Sequence, residues 1–341
     1  MRTLERSRIA AFVAAALLAS TVQAQPTADS AATSAYQVPR TSWGDPDLSG
    51  IWPGTAMVGV PMQRDQKLGL RNVLTEEEFL AREADFARQD ELDNADFDLE
   101  NAATTPGGAV GGPVSPPPHW LERGDPQYQA SLIVDPPDGR MPPLTEAAQQ
   151  RQAAQRQARE GRGPADSYTD RSLYDRCITR GLVGSLTPAI YNAGNEIVQA
   201  PGYVVITNEM IHEARVVPLD GKPQLGPTIK QWLGDSRGRW DGDTLVVETT
   251  NFTDRVNVGG ARHSEKLKIT ERYTRVADNR LVLRLTVEDP ETWTAPWTFE
   301  LPLDRDDSYG MFEYACHEGN LAMFNILSGH RADERAAAAK R

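Results

Sequence analysis

Past residue 24 the chain has no apolar run of the roughly 20 residues a membrane helix needs, so a later membrane span is not expected. Several catalytic signatures are missing as well. There is no Gly-x-Ser-x-Gly nucleophile elbow, no phosphate loop, no dinucleotide fingerprint and no His-Glu-x-x-His. These absences remove several enzyme classes. Basic charge is in deficit: 36 Lys and Arg stand against 48 Asp and Glu in 341 residues. A chain so acidic repels nucleic acid and anionic lipid in bulk, which argues against both as partners.

What is present begins with an export signal. Arg2, Arg6 and Arg8 precede the apolar run Ile9 to Leu18, and Val22-Gln23-Ala24 offers small residues at the two positions a signal peptidase reads. Cleavage near Ala24 leaves 33 basic and 47 acidic side chains, a formal charge of −14. The expected location is periplasmic or secreted. In that oxidising compartment the two cysteines, Cys177 and Cys316, are expected to form a disulfide, with a nucleophilic cysteine as the alternative.

Residues 25–42 are expected to form a disordered leader, since their first part is Ala, Ser and Thr without periodicity. A single domain is expected over 43–341, with a helical and Pro/Gly-rich insertion at 63–194. Gly50-Ile51-Trp52 opens it as a short strand. Thr75-Glu-Glu-Glu78 is a capping box flanked by Leu74 and Phe79, predicting a helix from Glu76 to Leu92. Asn101 to Pro118 is a nearly uncharged linker or lid ending at His119-Trp120. A Gln/Ala/Arg helix follows from Thr145 to about Glu160, where Gly161 stops it.

From Glu196 the period becomes two. Strands are expected at Glu196 to Gln199, Gly202 to Asn208, Glu213 to Leu219, Arg237 to Trp240, Thr244 to Thr250, Lys266 to Val276, Arg280 to Glu288, Thr298 to Leu303 and Met311 to His317. Asp241-Gly242 supplies a tight turn between two of them. Short connections make neighbours antiparallel, and closing the sheet removes exposed edges. The predicted fold is therefore mainly β, an up-and-down antiparallel β-barrel with peripheral helices; an open β-sandwich is the alternative. A C-terminal helix from Asn320 to Ala338 is expected to plug or flank it.

The phrases Glu209-Met-Ile-His-Glu-Ala-Arg-Val-Val-Pro-Leu-Asp220, Ser236-Arg-Gly-Arg-Trp-Asp-Gly-Asp-Thr-Leu-Val-Val-Glu-Thr-Thr-Asn-Phe252, Asp289-Pro-Glu-Thr-Trp-Thr-Ala-Pro-Trp297 and Glu313-Tyr-Ala-Cys-His-Glu-Gly-Asn320 resemble a large family of exported bacterial proteins of unknown function. The resemblance implies one integral domain from Trp43 on and no particular activity. The strand pattern is also similar in style to lipocalin-like and nitrobindin-like barrels.

Candidate chemistry rests on polar residues among apolar strand positions. Glu271 shares a face with Leu267, Ile269 and Tyr273, a setting that raises a carboxyl pKa toward general acid or base duty. A salt bridge to Arg215 or Arg284 is the competing account. The reading favoured here has Glu271 and His317 transferring protons while Arg215 positions an anionic or carbonyl oxygen. Trp240, Tyr273, Trp293, Trp297 and Tyr314 supply aromatic surface for a small ligand, or simply pack the core. No cofactor is expected. The metal alternative uses His212, His317 and Glu318, from the repeated His-Glu dipeptide, although neighbours on a strand face opposite ways. The expected function is exported binding of a small apolar or aromatic molecule with metal-free lyase, hydratase or isomerase chemistry. The alternatives are a noncatalytic envelope protein that engages a protein partner and a metal-dependent hydrolase or lyase.

Overall fold

The structure, a computed structural model, describes residues 36–94, 120–318 and 321–340. The expected signal peptide at 1–24, most of the expected leader at 25–42, the tract at 101–118 and His119 lie outside the described residues.

Alternation decides the sheets. In β10 (Lys268–Ala277) Ile269, Glu271, Tyr273 and Arg275 are buried while Lys268, Thr270, Arg272 and Thr274 are more open, the period of a strand with one inner face. β7 (Thr244–Thr250), β11 (Arg280–Glu288) and β12 (Trp297–Asp304) pair with it into a run of antiparallel ladders. β6 (Asp235–Asp241) joins β7 through a two-residue loop, and Gly242 takes φ +60° at the first loop position, which a type II′ turn reserves for glycine. The short strand β2 (Ile133–Asp135) covers the other edge, giving the order β2-β12-β11-β10-β7-β6.

A second antiparallel sheet has the order β1-β3-β4-β5, built from β1 (Gly50–Ile51), β3 (Asn195–Ala200), β4 (Tyr203–Asn208) and β5 (Glu213–Pro218). A two-stranded ribbon joins β8 (Asn257–Val258) to β9 (Ala261–Arg262). The mainly β, antiparallel expectation holds. The closed barrel does not match the ladders: among the described residues no ladder joins β5 to β6 or β1 to β2. Side-chain packing links the sheets instead. A Cβ at Gly238 of β6 would fall 2.8 Å from Val217 Cγ1 and 2.6 Å from Leu219 Cδ2, so glycine lets β5 and its exit lie close over β6. Ile197, Val204, Ile206 and Val217 of the smaller sheet share one apolar cluster with Leu245, Ile269, Leu283 and Phe299 of the larger. Full burial of each such side chain stabilises the fold by about 1.5–3 kcal/mol.

Helix α1 (Glu76–Asp93) starts at the capping box: the Glu78 backbone N–H donates to Thr75 Oγ1, and the Thr75 N–H donates to the Glu78 carboxylate. Helix α2 (Glu146–Ala158) is capped by Thr145, α3 (Leu182–Leu186) is short and buried, and α4 is Ala322–Ala339. Two expectations need correction. Residues 36–42, assigned to the leader, are ordered, with Val38 buried and the Pro39 carbonyl accepting from the Asp47 N–H. Met311 to His317 is irregular rather than a strand, because no neighbouring strand offers it a ladder. The chain from Gln37 on forms one compact unit.

Candidate functional site

Arg215 projects from β5 and Glu271 from β10, so each belongs to a different sheet. Arg215 Nη1 and Nη2 donate to Glu271 Oε2 and Oε1, both at 2.7 Å, and the Tyr273 hydroxyl donates to Oε1 at 2.6 Å. Glu271 is 0% exposed and Arg215 is 5% exposed. Burial pushes the Arg215 guanidinium down, but the Glu271 carboxylate beside it prevails and holds it above its ordinary value. Burial, reinforced by the Glu271 charge, raises the Tyr273 phenol well above its ordinary value. This is the salt-bridge alternative realised in full. Its carboxylate oxygens are already engaged and no solvent reaches them, which leaves no face for a substrate.

His317 and Glu318 are exposed in the segment after the last strand, and His212 is exposed with Nδ1 3.0 Å from the Tyr314 carbonyl oxygen. The proton-transfer pair therefore lacks its geometry, since Glu271 is sealed and His317 faces solvent. Nor do His212, His317 and Glu318 form a ligand group; among the described residues the close trio is Asp166, His330 and Glu334. Trp293 and Trp297 meet edge to face with centroids 5.7 Å apart, and both belong to the core together with Tyr273. Trp240 is half-buried against that core. Of the five nominated aromatics, Tyr314 stands apart, in a polar loop cluster. The Cys177–Cys316 disulfide is formed.

That loop cluster is the better candidate. The Tyr309 hydroxyl lies 2.7 Å from Glu209 Oε2 and 2.9 Å from Glu122 Oε2. Glu209 also accepts from the Asn192 side-chain amide and from the Gly194 and Phe312 N–H groups, at 2.8, 3.2 and 3.0 Å. Glu122 accepts from the Asn192 and Ala193 N–H groups at 2.9 and 3.0 Å. A phenol carries one proton, so Tyr309 donates to one carboxylate or the other at any moment. Burial, followed by the Glu209 and Glu122 hydrogen bonds, raises the Tyr309 phenol far above its ordinary value. Glu209 is buried, whereas Glu122 and Tyr309 are partly open.

A second phenol group is carried by overlapping loops. Tyr174 Oη lies 2.9 Å from Tyr191 Oη and 3.0 Å from Tyr314 Oη, with the Arg180 guanidinium 5.3 Å from the Tyr174 ring centre. Burial, then the Tyr191 and Tyr314 bonds, raises the Tyr174 phenol. Among the described residues, the same loops contain four of the five non-glycine positions with positive φ: Cys177, Asn192, Ile211 and His212. Such strain concentrates where function over-determines the backbone. Strand periodicity passed over Glu122, Glu209, Tyr309, Tyr174 and Tyr191, because none of them lies on a strand. The available signal was the phrase that begins at Glu209.

A separate cavity of about 370 Å³ opens beside α1, lined by Gly59, Pro61, Leu74, Arg82 and Phe86 among others. None of the nominated residues lines it. Among the described residues no helix is long and apolar enough to cross a membrane. No family model, curated protein or solved structure matches the chain.

Proposed function

We propose that this is an exported small-molecule-binding protein performing acid/base chemistry, of the lyase, hydratase or isomerase kind, at Glu122, Tyr309 and Glu209. The observation that carries the reading is one phenol placed within hydrogen-bond reach of two carboxylates, one buried and one partly open. Glu122, the accessible member, takes a proton from the substrate. Tyr309 accepts that proton while passing its own to Glu209, and the reverse relay through Tyr309 and Glu122 returns a proton to another substrate atom. The phenols of Tyr191 and Tyr314 offer polar contacts to a bound oxygen, and their rings offer apolar surface.

Melting-shift screening of small carbonyl and aromatic compounds, followed by turnover assays on the hits, tests this. For a hit that is turned over, Glu122→Gln lowers turnover by about 10²-fold or more while binding persists. Equal turnover in the wild type and E122Q refutes the assignment.

A second reading has its own support. Phe312, Phe324 and Leu321 are 73%, 69% and 64% exposed, which suits a noncatalytic protein with a protein partner. A stoichiometric partner recovered from an envelope fraction, together with no small-molecule melting shift, favours it.

A further inference from the structure

Helix α4 is 18 residues long and fully buries none of them, with Met323, Ile326 and Leu327 only half-buried, so apolar packing holds it only in part. A polar node joins it to the loop at 163–166. His330 Nε2 lies 2.8 Å from Asp166 Oδ1, and Arg331 Nη2 donates to the Ala165 carbonyl at 3.2 Å. His330 and Glu334 are four residues apart, which puts both on one helix face, with Nε2 3.7 Å from Glu334 Oε1. One imidazole nitrogen and two carboxylate oxygens thus lie within 4.8 Å of one another.

We infer that Asp166, His330 and Glu334 form a site for a divalent transition metal of the zinc class that clips α4 to the body of the protein. Three features beyond proximity support it. The Gly163 N–H donates to Asp166 Oδ2 at 2.7 Å, which fixes the carboxylate with Oδ1 turned toward the helix. Gly163 packs close against the two tightest ligands: a Cβ there would fall 2.7 Å from both Asp166 Oδ1 and His330 Nε2, so only glycine leaves these two atoms uncovered. Arg331 Nε lies 3.0 Å from Glu334 Oε2, the outer oxygen, which leaves Oε1 facing His330, while Arg331 Nη2, 3.7 Å from Asp166 Oδ1, swings off that oxygen when the ion enters. Ligand bonds of about 2.0–2.2 Å require donor atoms a little over 3 Å apart, so small side-chain shifts close the set and leave a fourth position for water. In the metal-free state Nε2–H donates to Asp166; on binding, that proton is released to solvent, the remaining ring proton sits on Nδ1, and the Nε2 lone pair goes to the ion. One nitrogen and two oxygens favour zinc over calcium or magnesium, which take oxygen ligands.

The test uses tag-free, chelator-stripped full-length protein titrated calorimetrically with Zn²⁺, with Mg²⁺ as control, and hydrogen exchange measured over α4. One Zn²⁺ per chain and slowed exchange in α4 are expected. His330→Gln and Gly163→Ala each weaken binding by about tenfold or more. His317→Gln binds as the wild type does. Circular dichroism on each variant confirms folding. The inference is overturned by absent binding, by unaltered binding in H330Q and G163A, by loss of binding in H317Q, or by binding that leaves α4 exchange unchanged.

Discussion

Arg215 and Glu271 face each other across the two sheets, joined by two parallel 2.7 Å hydrogen bonds with almost no exposure on either side. Such a pair contributes orientation more than net stability, because each charge gave up its water to enter the core. Breaking it is costly. Glu271→Gln leaves the guanidinium buried without a counter-charge and is expected to lower unfolding free energy by about 3–5 kcal/mol. Replacing the pair together with the phenol that donates to it, as R215M with E271L and Y273F, is expected to restore stability to within about 1 kcal/mol of the wild type or exceed it. Urea unfolding of the three proteins checks this; a loss below about 1 kcal/mol for E271Q argues that the pair is not sealed as described.

How far this pair was legible follows from the range of the interactions involved. Alternation along Lys268 to Ala277 put Glu271 on the same face as Leu267, Ile269 and Tyr273, and that face is the buried one. The sequence leaves the partner open between Arg215 and Arg284, and the structure pairs Arg215 with Glu271 while Arg284 lies 3.5 Å from Glu300. What lay opposite that face was not legible. An inner face meets a cavity in a barrel and a second sheet in a layered fold, and only long-range packing, as at Gly238 under Val217, decides between them. Hairpins are local, so β6 to β7 and β10 to β11 were read within a few residues of their ends. β2 has three residues among prolines and left no period to read.

The loop cluster was illegible for a different reason. Glu122, Glu209 and Tyr309 come from irregular segments whose backbone N–H groups are hydrogen-bonded one by one, and no periodicity marks such positions. Tyr309→Phe removes the shared hydroxyl and leaves Glu122 and Glu209 near each other without it. The expected loss is about 1–3 kcal/mol, the penalty for unsatisfied partly buried polar groups. Adding Glu122→Gln to Y309F recovers part of that loss by removing one charge. A double-mutant cycle in urea measures the coupling, and strict additivity would show that the two side chains do not interact.

The disulfide joins residues separated by 139 positions, so it restricts a long loop in the unfolded chain. Chain-entropy reasoning sets a ceiling near about 5 kcal/mol, and native bridges commonly contribute about 2–4 kcal/mol. Cys177→Ala with Cys316→Ala, or reduction of the wild type, is expected to lower stability within that range. The bridge also fixes the backbone two residues from Tyr314, so the near-ultraviolet tyrosine signal is expected to change on reduction even below the unfolding transition. Two free thiols in oxidised native protein would remove the basis for both effects.

His263 provides a pH signature of folding. It is 2% exposed, with Nδ1 2.8 Å from the Ser264 carbonyl oxygen, and burial depresses its pKa below 6.5 despite the opposing pull of that contact and of Asp289. The folded protein therefore holds the ring neutral at pH values where the unfolded chain binds a proton. Its contribution to stability is intact above the unfolded value of 6.5 and is lost as pH falls from there toward the lower folded value. The limiting slope for one proton is about 1.4 kcal/mol per pH unit. Urea midpoints between about pH 7.5 and pH 5.5 are expected to fall with acidification, and less steeply in His263→Gln. Equal slopes in the two proteins would show that His263 charges as readily inside the fold as outside it. The geometry argues against that result, because protonation puts a charge in a site closed to water, packed against the buried Phe252 ring at 5.9 Å between centroids.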